Sequence, residues 1–332
     1  MFIETEKRKM PENIKEEYNL LRYGAGAVVL EENIIKLTGK DTLDFIHRVS
    51  TNDVKGLMPG AKIRTLFLND KGRFVDRTIF LYITDFFWLV GQNDPDKKLL
   101  SWINKYIITE DIITEDLTND YKVITITGQQ SASYLSLIFG QEFTSLDDKN
   151  LIVTQTSGFD TVLFRCVEKG QTFYKVIVKS NQYNQFVEYL NANKSVFDFG
   201  FVSDEAFKYY CILHGLPGRN EITLEFNPHE VGLTDEISFT KGCYIGQEVI
   251  ARLDTYDKVQ KKLIGVKIEA NMPEKSYDIY NSGEFAGIIT SGINVDGEFY
   301  GLAVVKKKYL DDNPLYISYE GKEVEIAVRN FD

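Results

Sequence analysis

The feature that most constrains this chain is a change of punctuation near residue 256. Before it, apolar segments of strand period alternate with segments of helical period. After it only short strands remain, Leu263 to Ile268, Phe285 to Thr290, Phe299 to Val305 and Val324 to Val328, separated by Gly, Asn and Asp. Repeated short strands with little helix pattern predict a small β-barrel or sandwich. The text before it predicts an α+β body with helices laid on antiparallel sheet. A chain of 332 residues has room for two or three domains with a sizeable core. We expect a polar N-terminal segment over 1–23, a body of two subdomains over 24–256, and the barrel over 257–332.

Within the body, Pro11 to Leu21 reads as a solvated leading helix and Ala27 to Leu37 as one apolar strand. Thr38 to Asp41 is a turn, with Asp41 capping a helix that carries Leu43, Phe45, Ile46 and Val49. Strands are expected at Arg64 to Leu68, Phe74 to Thr84 and Phe86 to Val90, the first two joined by the hairpin turn Asn69-Asp-Lys-Gly72. Further strands fall at Tyr121 to Thr127, Thr161 to Arg165 and Phe173 to Val178. Helices fall at Pro95 to Tyr106, Ser131 to Phe139, Gln182 to Asn191 and Asp204 to Leu213.

Composition narrows the class of function. Lys and Arg number 38 against 49 Asp and Glu, a formal net charge of −11. Such a surface repels a phosphate backbone, which argues against direct nucleic-acid binding. Cys166, Cys211 and Cys243 are widely spaced, with no Cys-x-x-Cys pair and no zinc spacing with the three histidines. This predicts a reducing compartment and no metal site. The charged stretch Met1 to Lys9 does not resemble a secretory signal, and no apolar run reaches the ~18 residues of a membrane span. The expectation is a cytoplasmic protein with no membrane partner.

The most unusual text is Lys241-Gly-Cys-Tyr-Ile-Gly-Gln-Glu-Val-Ile-Ala-Arg252. Gly242 and Gly246 flank Cys243 and permit tight turns and close approach of a ligand. A helix is expected to begin near Gly246, burying Val249, Ile250 and Leu253, with Glu248 and Arg252 paired four residues apart. A thiol before a helix N-terminus and two residues from Lys241 is in an electropositive setting that favours the thiolate. A buried structural cysteine fits the spacing equally well. Cys166 and Cys211, in apolar elements, read as core, and His229 as a surface or capping residue.

The motif Lys241-Gly-Cys-Tyr-Ile-Gly-Gln-Glu-x-x-x-Arg252 resembles the signature of the YgfZ family, relatives of the glycine-cleavage T-protein. Gly39-Lys40-Asp41 with Phe45-Ile46, Thr51-Asn52-Asp53 and Leu68-Asn-Asp-Lys-Gly-Arg73 resemble that family's N-terminal pattern, and the likeness covers roughly residues 24–332. The resemblance implies a T-protein-like ring of three domains around a central folate channel, ending in a β-barrel. It implies tetrahydrofolate, or a derivative, as cofactor, and iron–sulfur client enzymes as partners. In T-proteins an Asp after a Gly-rich turn serves the folate chemistry; here Gly72-Arg-Phe-Val-Asp76-Arg77 keeps one acid, Asp76. The T-protein pterin-binding Glu of a Leu-Glu-Ala-Gly segment is absent from the matching Ile212-Leu-His-Gly-Leu-Pro217, which weighs against aminomethyl transfer.

The resemblance thus implies an accessory factor for iron–sulfur cluster assembly or repair rather than a conventional enzyme. Its clients would include radical-SAM enzymes that modify transfer RNA, so the RNA link is indirect. Cys243 would be the reactive thiol and Lys241 its cation. Asp76, Arg73, Gly242, Gly246, Gln247 and Arg252 would form the cofactor site, with Arg64 and Lys71 as further cations for a glutamate tail. Two other readings stand beside it: a folate-dependent aminomethyltransferase or demethylase of T-protein type centred on Asp76, and a folate-binding protein without chemistry.

Overall fold

Buried residues at Ile14, Tyr18 and Leu21, one helical face, show that the first helix is part of the core rather than a solvated leader. The computed structural model describes residues 14–255, 259–310 and 314–332. The expected helix start at Pro11 and the boundary near residue 256 lie outside the described residues.

Helix α1 (Ile14–Tyr23) leads into β1 (Ala25–Leu30) and β2 (Glu32–Thr38). The single strand expected over Ala27–Leu37 is therefore two, broken at Glu31, and its halves join different sheets. Asp41 occupies the N-cap position of α2 (Thr42–Val49) without a side-chain cap bond. Its Oδ2 instead accepts from the Asp111 N–H at 2.8 Å. There follow β3 (Lys62–Leu68), β4 (Phe74–Tyr82), β5 (Phe87–Gln92), α3 (Lys98–Tyr106) and β6 (Ile113–Asp116). With β2 they form a five-stranded sheet in the order β3-β4-β5-β2-β6.

The chain continues through β7 (Tyr121–Thr127), α4 (Ser131–Phe139), β8 (Leu151–Thr156), β9 (Phe159–Glu168), β10 (Gln171–Lys179), α5 (Tyr183–Ala192) and β11 (Phe199–Phe201). These strands and β1 make a six-stranded sheet, β11-β1-β7-β10-β9-β8. Helix α6 (Asp204–Leu213) is capped by Ser203, whose Oγ accepts from the Ala206 N–H. Ser203 is in turn held by the Glu17 carboxylate of α1. A short α7 (Pro228–Val231) closed by an Asn227/Glu230 capping box, and α8 (Gln247–Thr255), complete the helices.

Beyond α8, β12 (Lys261–Ile268), β13 (Tyr277–Asn281), β14 (Glu284–Val295), β15 (Glu298–Lys306), β16 (Leu315–Tyr319) and β17 (Lys322–Arg329) close into a barrel. Sequence patterning found four of these six strands. The barrel has its own interior, around Val266, Ile279, Phe299 and Ile317. Its outer residues Ile293, Leu302 and Val304 join the core under α6.

Each sheet packs one face on helices: Phe67, Phe80 and Leu89 against α2 and α3, and Ile124, Leu163 and Val176 against α4 and α5. The opposite faces turn toward each other and toward α6, with Leu66, Ile79 and Val90 from one sheet and Val123, Phe164 and Phe173 from the other. Each such apolar side chain contributes roughly 1.5–3 kcal/mol. What stays unfilled between these two faces is the central cavity.

Candidate active site

Strands β4 and β5 on one side, β7, β9 and β10 on the other, and α6 with the loop after it enclose a cavity of about 350 Å³. Leu30, Ile79, Val90, Phe173 and Phe207 give it apolar walls, while Glu32, Arg64, Arg77, Glu168, Lys175 and Arg219 line it with charge. Arg77 Nη2 lies 2.5 Å from Glu236 Oε1 and 2.7 Å from Glu168 Oε2. Arg64 adds contacts of 3.3 Å to Glu236 and 3.8 Å to Glu168. Lys175 pairs with Glu32 and lies 3.3 Å from Thr125 Oγ1. Burial works against the Arg77 charge, but Glu168 and Glu236 outweigh it and hold the guanidinium protonated. Burial likewise acts to raise Glu168, and Arg77 overrides it, keeping the carboxyl below its ordinary range.

Four buried polar atoms of residues lining this cavity have no protein hydrogen-bond partner, Glu32 Oε2, Arg64 Nη1, Thr78 Oγ1 and Glu168 Oε1, and Asp76 Oδ2, just behind its wall, has none either. Buried polar groups are nearly always partnered, so such a cluster marks where a polar ligand completes the bonding. Asp76 sits on β4 directly behind the cavity-lining Gly91, where even a Cβ would come within 2.8 Å of Asp76 Oδ2. Its Oδ1 accepts from the Arg77 N–H at 2.7 Å. Burial pushes the Asp76 carboxyl up to about 8, the Arg77 N–H opposing and Asp94 adding to it, so the group holds a proton near neutrality. Cys166 and Cys211, expected as core alone, also line this cavity. Burial pushes both thiols up.

The cysteine motif lies elsewhere, on a platform of interlocked segments. Cys243 is exposed, and Gly242 beside it faces open space. Lys241 is not free to serve the thiol. Its buried Nζ donates to the carbonyls of His47 at 2.5 Å, Ser50 at 2.7 Å and Asn52 at 2.7 Å, satisfying the end of α2. Burial lowers this ammonium to about 8, and three acceptors require its protons. Thr51 ties the same region to the approach to the motif: its Oγ1 donates to the Glu236 carbonyl at 2.7 Å and its backbone carbonyl accepts the Ser238 N–H at 3.0 Å. Gly246, at φ +84°, lies against the β3–β4 turn, where a Cβ would meet the Asn69 carbonyl at 2.5 Å. The separate motifs of the sequence thus converge on one structure.

The other expected site residues fall as follows. Arg73 donates to the Glu225 carbonyl and to Glu230, fastening α7 rather than facing the cavity. Gln247 opens α8, its backbone N–H bonded to the Tyr244 carbonyl. Arg252 is exposed on α8, Ile250 is the buried residue of that helix, and no ion pair joins Arg252 to Glu248 among the described residues. Lys71 is exposed at the hairpin turn, whereas Arg64 does line the cavity. His229 is neither a surface nor a capping residue: its ring is largely buried, 3.6 Å from Asp254, and its backbone N–H donates to the capping Asn227. Sequence reasoning missed Glu32, Glu168, Lys175 and Arg219. Lys175, a charge between Tyr174 and Val176 in a core strand, was the available signal.

Two mutually facing sheets, a polar cavity between them and a closed barrel define a protein of glycine-cleavage T-protein architecture. A solved glycine cleavage system aminomethyltransferase T from Bartonella henselae shares this fold, with a TM-score of 0.77 at 17% identity over 96% of this chain and 88% of that one. Residues 1–241 match the family described as the GCVT N-terminal domain, and the chain belongs to it. An aminomethyltransferase of Thermosipho melanesiensis is 23% identical over 325 residues, 96% of this chain and 85% of its own length. An Arabidopsis thaliana protein named "Putative transferase At1g60990, chloroplastic" is 27% identical over 288 residues. That stretch is 82% of this chain but spans only 63% of the plant protein. No helix among the described residues is long and apolar enough to cross a membrane.

Proposed function

We propose that the chain binds a tetrahydrofolate-type cofactor in the central cavity and takes part in one-carbon group transfer of the kind its relatives' names describe. The cavity carries this reading. A pterin ring is flat, with apolar faces and an edge of hydrogen-bonding groups, and the cavity offers Phe173, Phe207, Ile79 and Val90 beside unpartnered acceptors on Glu32 and Glu168. Bound tetrahydrofolate supplies ring and bridge nitrogens that carry one-carbon units. Asp76 holds a proton at Oδ2 near neutral pH and exchanges it with an amine at the reacting end, the task for which a carboxyl is raised toward 7. Arg219, exposed at the cavity rim, suits the carboxylates of a glutamate tail. Anaerobic calorimetry with tetrahydrofolate should give saturable binding. Transfer from an aminomethyl or N-methyl donor should fall by ~10²-fold or more in Asp76→Asn. A protein that binds no folate overturns this reading.

A second reading rests on the exposure of Cys243 on a fixed platform linked to the cavity wall through Glu236. In it the chain is a YgfZ-type accessory factor for iron–sulfur assembly or repair, acting on client enzymes such as tRNA-modifying radical-SAM proteins, with Cys243 as the working thiol. Its three unpaired cysteines fit a reducing compartment such as the cytoplasm. Cys243→Ser should then fail to restore cluster-dependent activity in a strain lacking the protein, and full rescue removes the reading.

A further inference from the structure

We propose that Phe331 is a positioning residue of the central cavity: its ring, seated against two glycines, fastens the barrel to the loop after α6 and holds that loop as the wall that carries Arg219. The inference rests on the folate reading above and gives the barrel a part in it.

Leu216, Pro217, Gly218 and Arg219 of this loop line the cavity. They belong to no strand or helix, so their position is set by what holds the loop at its two ends. The far end is fastened to β14. Glu221, fully buried, accepts from the Gly218 N–H at 2.8 Å, from Thr290 Oγ1 at 2.5 Å and from Ser291 Oγ at 2.7 Å. Asn220 adds a bond to the Thr290 carbonyl at 3.0 Å. The near end depends on the residues that follow β17. Arg329 donates to the Leu213 carbonyl from Nη1 at 3.1 Å and from Nη2 at 2.8 Å, and the Asp332 N–H donates to the same oxygen at 3.0 Å. These bonds serve a carbonyl in the last turn of α6, where no helical partner is left.

Phe331 sits between those donors. Gly215 has φ +66°, and a Cβ there would come within 2.6 Å of the Phe331 ring. A Cβ at Gly265 of β12 would come within 3.2 Å of another edge of the same ring. The two missing side chains leave the slot that the ring fills. Lys169, next to Glu168, donates from Nζ to the Gly215 carbonyl at 2.5 Å and stands 5.3 Å from the centre of the Phe331 ring. β17 already pairs with β12 and β16, so the barrel closes without this contact, and its consequence falls on the loop. Gly215, Lys169, Arg329 and Phe331 do not line the cavity, so they act on a ligand through residues 216–219. A loop fixed beforehand spares the ligand the cost of ordering Arg219.

The test is calorimetry on the full chain with 5-formyltetrahydrofolate and with 5-formyltetrahydropteroate, which lacks the glutamate. Wild type should prefer the first, whose carboxylates meet Arg219. Phe331→Ala should weaken 5-formyltetrahydrofolate by ~3- to 10-fold, the range for ordering one long side chain on binding, and leave the pteroate unchanged. Phe331→Tyr, which keeps the ring, should restore the wild-type ratio. General damage to the fold weakens both ligands alike, so the ratio separates positioning from stability. If Phe331→Ala does not fold, Phe331→Val, which leaves the slot part-empty, replaces it with the same direction of change. A wild-type ratio in the Ala or Val variant, or its loss in Phe331→Tyr as well, overturns the assignment. Wild type that binds both ligands equally overturns it while leaving the folate reading intact; wild type that binds neither overturns both.

Discussion

In the central cavity, Glu32 and Glu168 each keep one buried oxygen without a protein partner. Beneath Cys243, the buried ammonium of Lys241 meets three carbonyls, and Thr51 Oγ1 both accepts the Leu66 N–H and donates to the Glu236 carbonyl. Both regions bury charge among elements far apart in sequence. In one the bonding is left incomplete around a space, and in the other the buried ammonium is fully satisfied and the reactive group stands outside. Incomplete bonding around a cavity is the mark of a binding site, whereas saturated bonding marks scaffold. The motif that most distinguishes the sequence therefore builds a mount for one thiol, and Glu32, Glu168 and Lys175, which charge the cavity, belong to no motif.

The comparison can be broken most forcefully at Lys241. Replacing it with Met leaves the end of α2 without its donor and should cost about 3 kcal/mol in urea denaturation. Folate at saturation should stabilise the variant and wild type by the same increment, because the lost bonds are not the cavity's. A difference between those increments would show the platform and the cavity to be one unit.

Asp76 sharpens the other side. Its carboxyl is raised to about 8 when folded and titrates near 4 when unfolded. Below about pH 4 both states hold the proton and burial carries no ionisation penalty. As pH rises toward 8 the unfolded chain releases its proton first, so folding loses stability, with the full penalty present above about 8. Asp76→Asn should flatten that part of the stability–pH curve, measured by thermal melts from pH 4 to 9. An unchanged slope would mean that Asp76 is solvated. The smallest effect is expected at Cys243: its side chain is exposed and Gly242 faces open space, so Cys243→Ser should change stability by no more than ~0.5 kcal/mol.

Much of the scaffold was legible in the residues. Helices α4 and α6 and strand β7 follow from apolar period and caps, and the barrel from its spaced short strands. The double strand β1–β2 was not, because Ala27 to Leu37 stays apolar enough to hide the crossing between sheets at Glu31. Strands β13 and β16 were missed because Tyr277–Asn281 and Leu315–Tyr319 are short and mix aromatics with Asp, Asn and Ser. Helix α1 looked polar, yet Ile14, Tyr18 and Leu21 form a buried face. The cavity was the least legible part. Arg64, Arg77, Glu168 and Lys175 meet only through the pairing of two sheets, and each alone reads as a strand charge. Lys241 was misread because adjacency to Cys243 in sequence says nothing of where a four-carbon stem points, and it points into α2.

The bond from Lys241 to the His47 carbonyl spans 194 residues. During synthesis from the N-terminus, α2 and the β3–β4 hairpin are made early, yet their closing partner emerges only after both sheets have been translated. Contacts of such long separation form late and slow the folding of the chains that depend on them. The ordering of the loop that carries Cys243 therefore waits on the rest of the body: a nascent chain that has not reached residue 241 lacks the donor that closes the α2 terminus.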